Sequence, residues 1–141
     1  MSKPTYLVDT SAYARLIRDQ AKANEWDEDL TNGRVGICSF TELEIFVSVR
    51  SLEHRQAVER VLHERFPWVP VPDRAMQRAQ EVQFALTKLG QHRSAGPVDL
   101  LVAATAELGG RTLLHYDRDF ATVAEVTGQP VQWIAEPGTV D

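Results

Sequence analysis

Two strand-like segments of this sequence each run directly into an aspartate. Asp9 follows the apolar residues 6–8 in the stretch "YLVDTSA", and Asp117 follows the run "TLLHY". If both strands belong to one parallel sheet, the two carboxylates share the edge at which the strands end. Carboxylates gathered at one point can bind a divalent cation that activates water, which is the chemistry of many hydrolases.

Two further carboxylates belong to helices that begin close to the same edge. Asp99 lies at the start of the helix predicted from "VDLLVAATA". Glu44 lies within "TELEIF", the helix that follows the predicted strand "VGIC", and the flanking residues 43 and 45–47 are all apolar. A carboxylate on a solvated helix face usually has more polar neighbours, so Glu44 stands out.

Each acid also has a purely structural explanation. Asp9 could cap the helix that follows it, although Thr10 or Ser11 could serve as the cap instead. Asp99 suits the first turn of a helix, where the helix dipole favours negative charge. Asp117 suits an ordinary transition from loop to helix. Taken singly, none of these three aspartates requires a catalytic role.

The four acids together favour a metal site. Carboxylates crowded at one sheet edge repel each other, and burial would raise their pKa values. A divalent cation removes both costs. Oxygen donors without a cysteine or histidine cluster favour Mg²⁺ or Mn²⁺ over Zn²⁺. Such an ion suits in-line attack of water on a phosphodiester.

The segments that must position these acids alternate between strands and helices. The predicted order is β-α-β-α-α-α-α-β-α-β, from the strand at 6–8 to a last strand in "VQWIA". This order favours a small parallel sheet with helices on both faces. No linker, repeat or low-complexity tract interrupts the sequence, so we expect residues 1–141 to form one domain.

The spacing of apolar residues predicts which helix faces are buried. The first helical region, within residues 12–31, has Leu16 and Ile17 on its apolar face. The helix predicted from Arg74 to Leu89 has Phe84 available for its buried side, with Asp73 as its N-cap.

The composition excludes several classes of protein. A hydrophobic fraction of 43% and a charged fraction of 25% are typical of a folded globular domain. No apolar run approaches the roughly 18 residues of a membrane span, and no secretory signal begins the sequence. Cys38 is the only cysteine, which excludes an internal disulfide and favours a cytoplasmic location. The net charge of −5 disfavours nonspecific nucleic-acid binding, although acids around a cation inflate that count.

Four segments resemble, in order, the acidic blocks of the PIN-domain family: "YLVDTSA", "ICSFTELEIF", "PVDLLVAATA" and "LLHYDRDFATVAEVTG". Their order and spacing are most similar to the VapC toxins of bacterial toxin–antitoxin pairs. The resemblance extends from Tyr6 to about Trp133. It implies a three-layer α/β/α sandwich with a small parallel sheet. It also implies a Mg²⁺-dependent endoribonuclease, held inactive by a cognate antitoxin.

The resemblance further implies which residues act in catalysis. The family usually has threonine, two variable residues and then glutamate, and Thr41 stands at that distance from Glu44, so Glu44 is favoured over Glu42. Asp119 would be an accessory acid. The four catalytic and metal-binding acids implied are Asp9, Glu44, Asp99 and Asp117.

Three positions next to these acids have two interpretations each. Thr10 and Ser11 match the small hydroxyl residues that follow the first acid of the family, and they would either bind a water near the cation or cap the helix. His115 stands where many family members have threonine. We expect its imidazole to meet backbone rather than RNA.

RNA binding also requires cations near the acids. Arg93 and Arg118 are the favoured substrate-binding residues because they flank two of the acids in sequence, ahead of Arg15, Arg18 and His92. Solubility alone would explain any single one of them.

The resemblance implies two protein partners, an antitoxin and a second copy of the chain. Tyr13, Trp26 and Phe46 are apolar residues whose exposure would provide such contacts. Burial in the core is the alternative, and it is favoured for Phe46.

Two other functions compete with a nuclease. A signalling receiver domain would need an early pair of acids and a lysine after the last strand, but only Asp9 is present early and Lys88 is the last lysine. A catalytically silent PIN-like module that binds RNA or a protein partner is the stronger alternative. Retention of all four acids disfavours it.

Overall fold

A four-stranded parallel sheet lies at the centre of the structure, a computed structural model that describes residues 4–138. The strands are β1 (Tyr6–Val8), β2 (Val35–Gly36), β3 (Thr112–His115) and β4 (Val131–Trp133). Their spatial order is β2-β1-β3-β4, and every neighbouring pair is parallel. All four strands therefore end at one edge of the sheet, as the sequence predicts.

Eight helices connect these strands within residues 4–138. The first three are α1 (Thr10–Arg18), α2 (Gln20–Glu25) and α3 (Asp27–Thr31). The next four are α4 (Ser39–Val47), α5 (Leu52–Arg65), α6 (Ala75–Lys88) and α7 (Pro97–Leu108), and α8 (Arg118–Thr127) joins β3 to β4. The first helical region is thus divided into three helices. Asp19 leaves helical geometry between α1 and α2, and its side chain caps α2 by accepting from the Lys22 N–H. Trp26 leaves helical geometry between α2 and α3.

The strand order creates a crevice between the two central strands. The connection that leaves β1 runs towards β2, whereas the connection that leaves β3 runs in the opposite direction towards β4. Helices diverge at such a topological switch point and leave a crevice beyond the carboxyl ends of the strands, where open α/β sheets bind ligands. Asp9 and Asp117 both follow strands at this point.

Two apolar cores cover the two faces of the sheet. Successive strand residues face opposite sides, so Leu7 and Leu113 pack against α6, α7 and α8. Val8 and Leu114 pack on the other side against residues of α1 and α5. All four side chains are fully buried. The predicted three-layer α/β/α sandwich is confirmed.

Several predicted helix faces are wrong in detail. Ile17 and Phe84 were expected on buried faces but are 61% and 63% exposed. In α4 the buried residues are Thr41 and Ile45, whereas Leu43 and Val47 are exposed. Apolar neighbours therefore do not surround Glu44 in a core.

The expected partner surface is also incorrect for two of its three residues. Tyr13 and Trp26 are each only 6% exposed. The Tyr13 ring packs on Phe66, and the Trp26 ring lies edge-on to Tyr6 at 5.2 Å. Phe46 is partly buried against the same core. These rings stabilise the α1–α5 side of the sandwich rather than a partner contact.

The N-cap of α1 is one of those that the sequence offers, whereas the start of α6 differs from the prediction. Asp9 caps α1, and Thr10 and Ser11 do not. Arg74 rather than Asp73 precedes α6, and no side chain caps that helix. The Ala75 N–H instead donates to the Pro72 carbonyl at 3.0 Å, so a backbone turn replaces the side-chain cap. No helix within residues 4–138 combines the length and apolar character that crossing a bilayer requires.

Gly36 of β2 lies so close to its neighbours that a methyl group has no room. A Cβ atom at this position would lie 2.5 Å from Cγ2 of Val69 and 3.1 Å from the Pro4 ring. We expect Gly36→Ala to lower the free energy of unfolding by about 1–3 kcal/mol, the usual cost of overpacking. Urea denaturation measures the change.

The control is Val69→Ala, which removes the methyl group that the new Cβ would meet. The double variant should lose less stability than the sum of the two single variants, because the sites share one contact. Additive losses would contradict the steric explanation.

Candidate active site

Asp9 occupies the carboxyl end of β1 and is 5% exposed. Its backbone N–H donates to the Leu114 carbonyl at 3.1 Å, which continues the pairing with β3. Its side chain caps α1, with the Ala12 N–H donating to Oδ1 at 3.0 Å. The structural and the chemical interpretation of this residue therefore coexist, because the carboxylate that caps the helix is also the acid at the sheet edge.

Ser11 connects Asp9 to the end of β3. Its Oγ donates to the Asp9 carboxylate, 2.7 Å from Oδ1 and 2.9 Å from Oδ2. The same oxygen accepts from the Tyr116 N–H at 2.8 Å. The hydroxyl thus orients the carboxylate and satisfies a backbone donor of the residue that precedes Asp117.

Glu44 reaches the site through Thr10. Thr10 Oγ1 donates to Glu44 Oε1 at 2.7 Å, which links α1 to α4. Glu42, two residues earlier, instead lies 3.6 Å from Nε2 of His63. The two acids of α4 therefore have different neighbours, and Glu44 is the one that contacts the residue beside Asp9.

The remaining acids lie at helix starts. The Gly96 N–H donates to Asp99 Oδ2 at 3.3 Å in the first turn of α7. Asp117 caps α8, where its Oδ1 accepts from the Asp119 N–H at 2.9 Å. Backbone N–H groups at the positive ends of helix dipoles thus donate to these carboxylates.

Shifts in pKa indicate that these acids share one region. Burial raises the pKa of Asp9 to about 6, with the charge of Asp99 adding to the effect and hydrogen bonds to the carboxylate opposing it. Burial also raises the pKa of Asp99, and the charges of Glu44, Asp117 and Asp119 raise it further. Carboxylates from four segments of the chain therefore repel one another at the switch point.

No basic side chain within residues 4–138 forms an ion pair with any of these five acids. The donor set, all carboxylate, has the chemistry that suits Mg²⁺ or Mn²⁺. However, no three His, Cys, Asp or Glu side chains in the described part of the chain come close enough together to hold one metal ion. Four of the five acids accept a hydrogen bond from Thr10, from Ser11 or from a backbone N–H. To share one ion, the carboxylates would have to move closer together.

His115 meets backbone, as expected. It is fully buried, and its Nδ1 accepts from the Asp117 N–H at 3.2 Å. Burial lowers the pKa of His115 to about 4, which keeps the ring neutral at physiological pH. The ring packs against Phe120 and Trp133. These contacts fix the imidazole that accepts from the backbone N–H of Asp117.

The basic residues proposed to bind RNA lie at the surface. Arg93 is exposed in the turn before α7, and Arg118 is exposed as the first residue of α8. Arg18 and His92 are also exposed. Arg15 differs, because its guanidinium lies 4.7 Å from the centre of the Tyr116 ring. The substrate-binding role of Arg93 and Arg118 stays a prediction.

Two aromatic residues beside Asp117 were missed as site residues. Tyr116 and Trp133 pack edge to face, with ring centres 5.7 Å apart. Trp133 pairs in register with His115 at the end of β4. The available signal was an aromatic residue within the last predicted strand, "VQWIA", of the sheet whose edge carries the acids.

Comparison with known proteins agrees with this arrangement. The model of the PIN domain matches residues 6–126. The chain belongs to the PIN-domain family. Ribonuclease VapC21 of Mycobacterium tuberculosis is 39% identical over 134 residues, which cover 95% of this chain and 96% of that protein. Ribonuclease VapC18 of the same organism is 36% identical over 137 residues, covering 96% and 98% of the two chains.

The fold is similar to that of one chain in a solved VapBC structure. A chain in the crystal structure of DNA-bound VapBC from Salmonella typhimurium superposes with a TM-score of 0.77, covering 94% of this chain and 99% of that one. The sequence identity is 18%, so this likeness concerns the fold.

Replacing Asp9 by asparagine should stabilise the metal-free protein at neutral pH. Because the pKa of Asp9 is higher in the folded state than in the unfolded chain, the folded state binds that proton more tightly. The free energy of unfolding therefore falls as the pH rises from about 4 through about 6. The rise of the pKa from 3.8 to about 6, at 1.36 kcal/mol per unit, corresponds to about 3 kcal/mol, so Asp9→Asn should gain about 3 kcal/mol at pH 7.5 and little at pH 4.

Urea denaturation in chelator at the two pH values measures this difference. The wild type and the variant share His115, so its opposite contribution cancels in the comparison. An equal effect at both pH values, or destabilisation at pH 7.5, would show that the charge of Asp9 carries no cost.

Proposed function

We propose that this chain is a divalent-metal-dependent endoribonuclease and the toxin of a toxin–antitoxin pair. One observation carries the proposal: four acids converge at the switch point of a PIN-domain sheet, namely Asp9, Glu44, Asp99 and Asp117. The charges of Glu44 and Asp117 are close enough to raise the pKa of Asp99. Curated relatives that match nearly the whole chain are named as VapC ribonucleases, which supports RNA as the substrate.

Mg²⁺, or Mn²⁺ in its place, is the cofactor that the donor set favours. Asp9 and Asp99 would hold the ion, with Glu44 and Asp117 completing the site directly or through water and Asp119 as an accessory acid. When bound, such a cation lowers the pKa of water and stabilises negative charge on a phosphate. In-line attack by water on phosphorus, with departure of the 3′ oxygen, would leave a 5′-phosphate and a 3′-hydroxyl.

Residues of the chain itself would orient the acids for this reaction. Ser11 directs the Asp9 carboxylate through its hydroxyl, and Thr10 does the same for Glu44. The wall formed by β1 and β3 keeps water away from the buried side of Asp9. Arg93 and Arg118 would contact phosphates of the RNA, because both are exposed beside helix starts that carry the acids.

The partner proposal follows from the composition of similar solved structures. The solved complexes from Salmonella typhimurium and Rickettsia felis are VapBC assemblies, which supports an antitoxin as the protein that holds this chain inactive. Dimerisation of the toxin and a cytoplasmic location, where RNA and antitoxin meet, belong to the same proposal.

The two glutamates of α4 provide a matched test. Glu44→Gln should lower the rate of RNA cleavage about 100-fold or more, since loss of even a supporting group at a metal site costs 10- to 100-fold. Glu42→Gln removes the same charge from the same helix and should stay within about twofold of the wild type. Cleavage is followed on total RNA with Mg²⁺, with Mn²⁺ and with chelator.

Three results would contradict the assignment. Equal losses in the two glutamine variants would remove Glu44 from the site. Undiminished cleavage in chelator would remove the metal. No cleavage by the wild type with either metal would favour the catalytically silent module.

The toxin role has its own test, separate from the nuclease chemistry. Expression of the wild-type chain without a partner should arrest growth of the host cell, whereas Asp99→Asn, which lacks one proposed metal ligand, should not. Colony counts after induction measure the effect. Growth unaffected by a wild-type protein that cleaves RNA in vitro would overturn the toxin role and leave the ribonuclease.

A further inference from the structure

A cavity beside β4 adjoins the acidic residues. It has a volume of about 330 Å³ and opens at the surface. Its walls are Tyr116, Asp117, Arg118, Trp133, Pro137 and Gly138. Asp117 therefore belongs both to the acidic cluster and to this cavity, so a molecule could occupy both at once. We name this cavity the aromatic cleft.

The two rings of the aromatic cleft are fixed by their surroundings. The Gly138 N–H donates to the hydroxyl of Tyr116 at 2.9 Å, and the Tyr116 N–H donates to Ser11. Trp133 packs edge to face with Tyr116 and also contacts the buried His115 ring at 4.7 Å. Rings held in this way lose little conformational entropy on binding. Because the two rings are perpendicular, at 89°, a flat ligand can stack on the face of one ring while the other borders it.

Positive charge borders the same rings. The Arg15 guanidinium lies over the Tyr116 ring, and its Nε is buried without a hydrogen-bond partner in the described part of the chain. Arg118 is exposed on the wall of the aromatic cleft, and its side chain forms no ion pair within residues 4–138. A fitting ligand is therefore flat and apolar on its faces and carries negative charge.

We propose that the aromatic cleft binds one base of a single-stranded RNA, stacked on Trp133 and bordered by Tyr116, while the adjoining phosphate lies between Arg118 and the acidic cluster. The proposal rests on the ribonuclease function proposed above and adds to it a specific subsite. Bases unstacked from single-stranded RNA bind in this manner to aromatic and arginine side chains. Because Asp117 belongs both to the aromatic cleft and to the acidic cluster, the stacked base would lie next to the bond that is cut.

Stacking gives the aromatic pair beside the acidic cluster a role in selecting RNA. Each base–aromatic stack contributes about 1–3 kcal/mol and depends little on base identity. The aromatic cleft would accordingly select an unpaired nucleotide and reject one held within a duplex. The enzyme would then cut RNA in loops and single strands.

The test compares binding of two labelled oligomers, decaadenylate and an abasic ribose-phosphate decamer of the same charge. The Asp99→Asn variant, with Mg²⁺ present, serves as the parent protein so that no RNA is cut. In that parent, Trp133→Leu should weaken binding of decaadenylate about tenfold and leave the abasic decamer within twofold, as measured by fluorescence anisotropy.

Trp68→Leu is the matched control. Trp68 is 62% exposed and pairs with Ile37 beside β2, at the opposite edge of the sheet from β4. It should change neither affinity. Equal weakening of both oligomers by Trp133→Leu, or no weakening of decaadenylate, would overturn the proposal.

A second measurement does not depend on the folding of the tryptophan variant. An oligouridylate that contains 4-thiouridine is irradiated in complex with the Asp99→Asn protein, and the attached peptide is identified by mass spectrometry. Attachment at Tyr116 or Trp133 is expected. Attachment confined to other segments would contradict the subsite.

The two proposals fail in distinguishable ways. If the wild type cleaves RNA but binding does not depend on the bases, only the base-binding role of the aromatic cleft would be overturned. Base-dependent binding through Trp133 without cleavage under any metal condition would overturn the nuclease alone. A free nucleotide as the true ligand would be revealed by adenosine monophosphate competing with decaadenylate at equal concentration.

Discussion

The arrangement of the site depends on keeping one carboxylate, that of Asp9, at the end of a buried strand. A carboxylate removed from water is costly unless hydrogen bonds or charges replace its hydration. The chain provides these bonds from Ser11 and from the first turn of α1. Since the hydroxyl of Ser11 is itself fixed by the backbone that leads into Asp117, solvating one acid also sets the position of the other.

Helix starts provide the remaining compensation. Asp9 and Asp117 cap α1 and α8, and Asp99 lies in the first turn of α7. The N–H groups and dipoles of three helices therefore point towards the acids and offset part of their mutual repulsion. The offset is incomplete, as the raised pKa values of Asp9 and Asp99 indicate. In a site suited to a cation, the repulsion between the acids remains in the free protein and lowers its stability, which is a common trade-off between stability and function.

The sequence predicts much of this structure for identifiable reasons. Strand ends locate Asp9 and Asp117, and helix starts locate Asp99, because parallel sheets bring these points together. The contacts of Thr10 with Glu44, and of Ser11 with Tyr116, join residues 34 and 105 positions apart, and no local pattern encodes them. The predicted buried helix faces were wrong at Ile17 and Phe84, because the spacing of apolar residues does not show which side of a helix its neighbours cover.

The acidic cluster also has a long-range consequence. Its five members, Asp9, Glu44, Asp99, Asp117 and Asp119, equal the formal charge of −5 of the entire chain, so the other acidic residues are balanced by the 15 basic ones. Within residues 4–138 none of these five acids forms an ion pair with a basic side chain, so a negative field surrounds the site. A polyanion diffusing towards this edge is repelled within a Debye length of about 8 Å at physiological ionic strength. Under the function proposed above, a bound cation would reduce this repulsion and so speed the arrival of RNA.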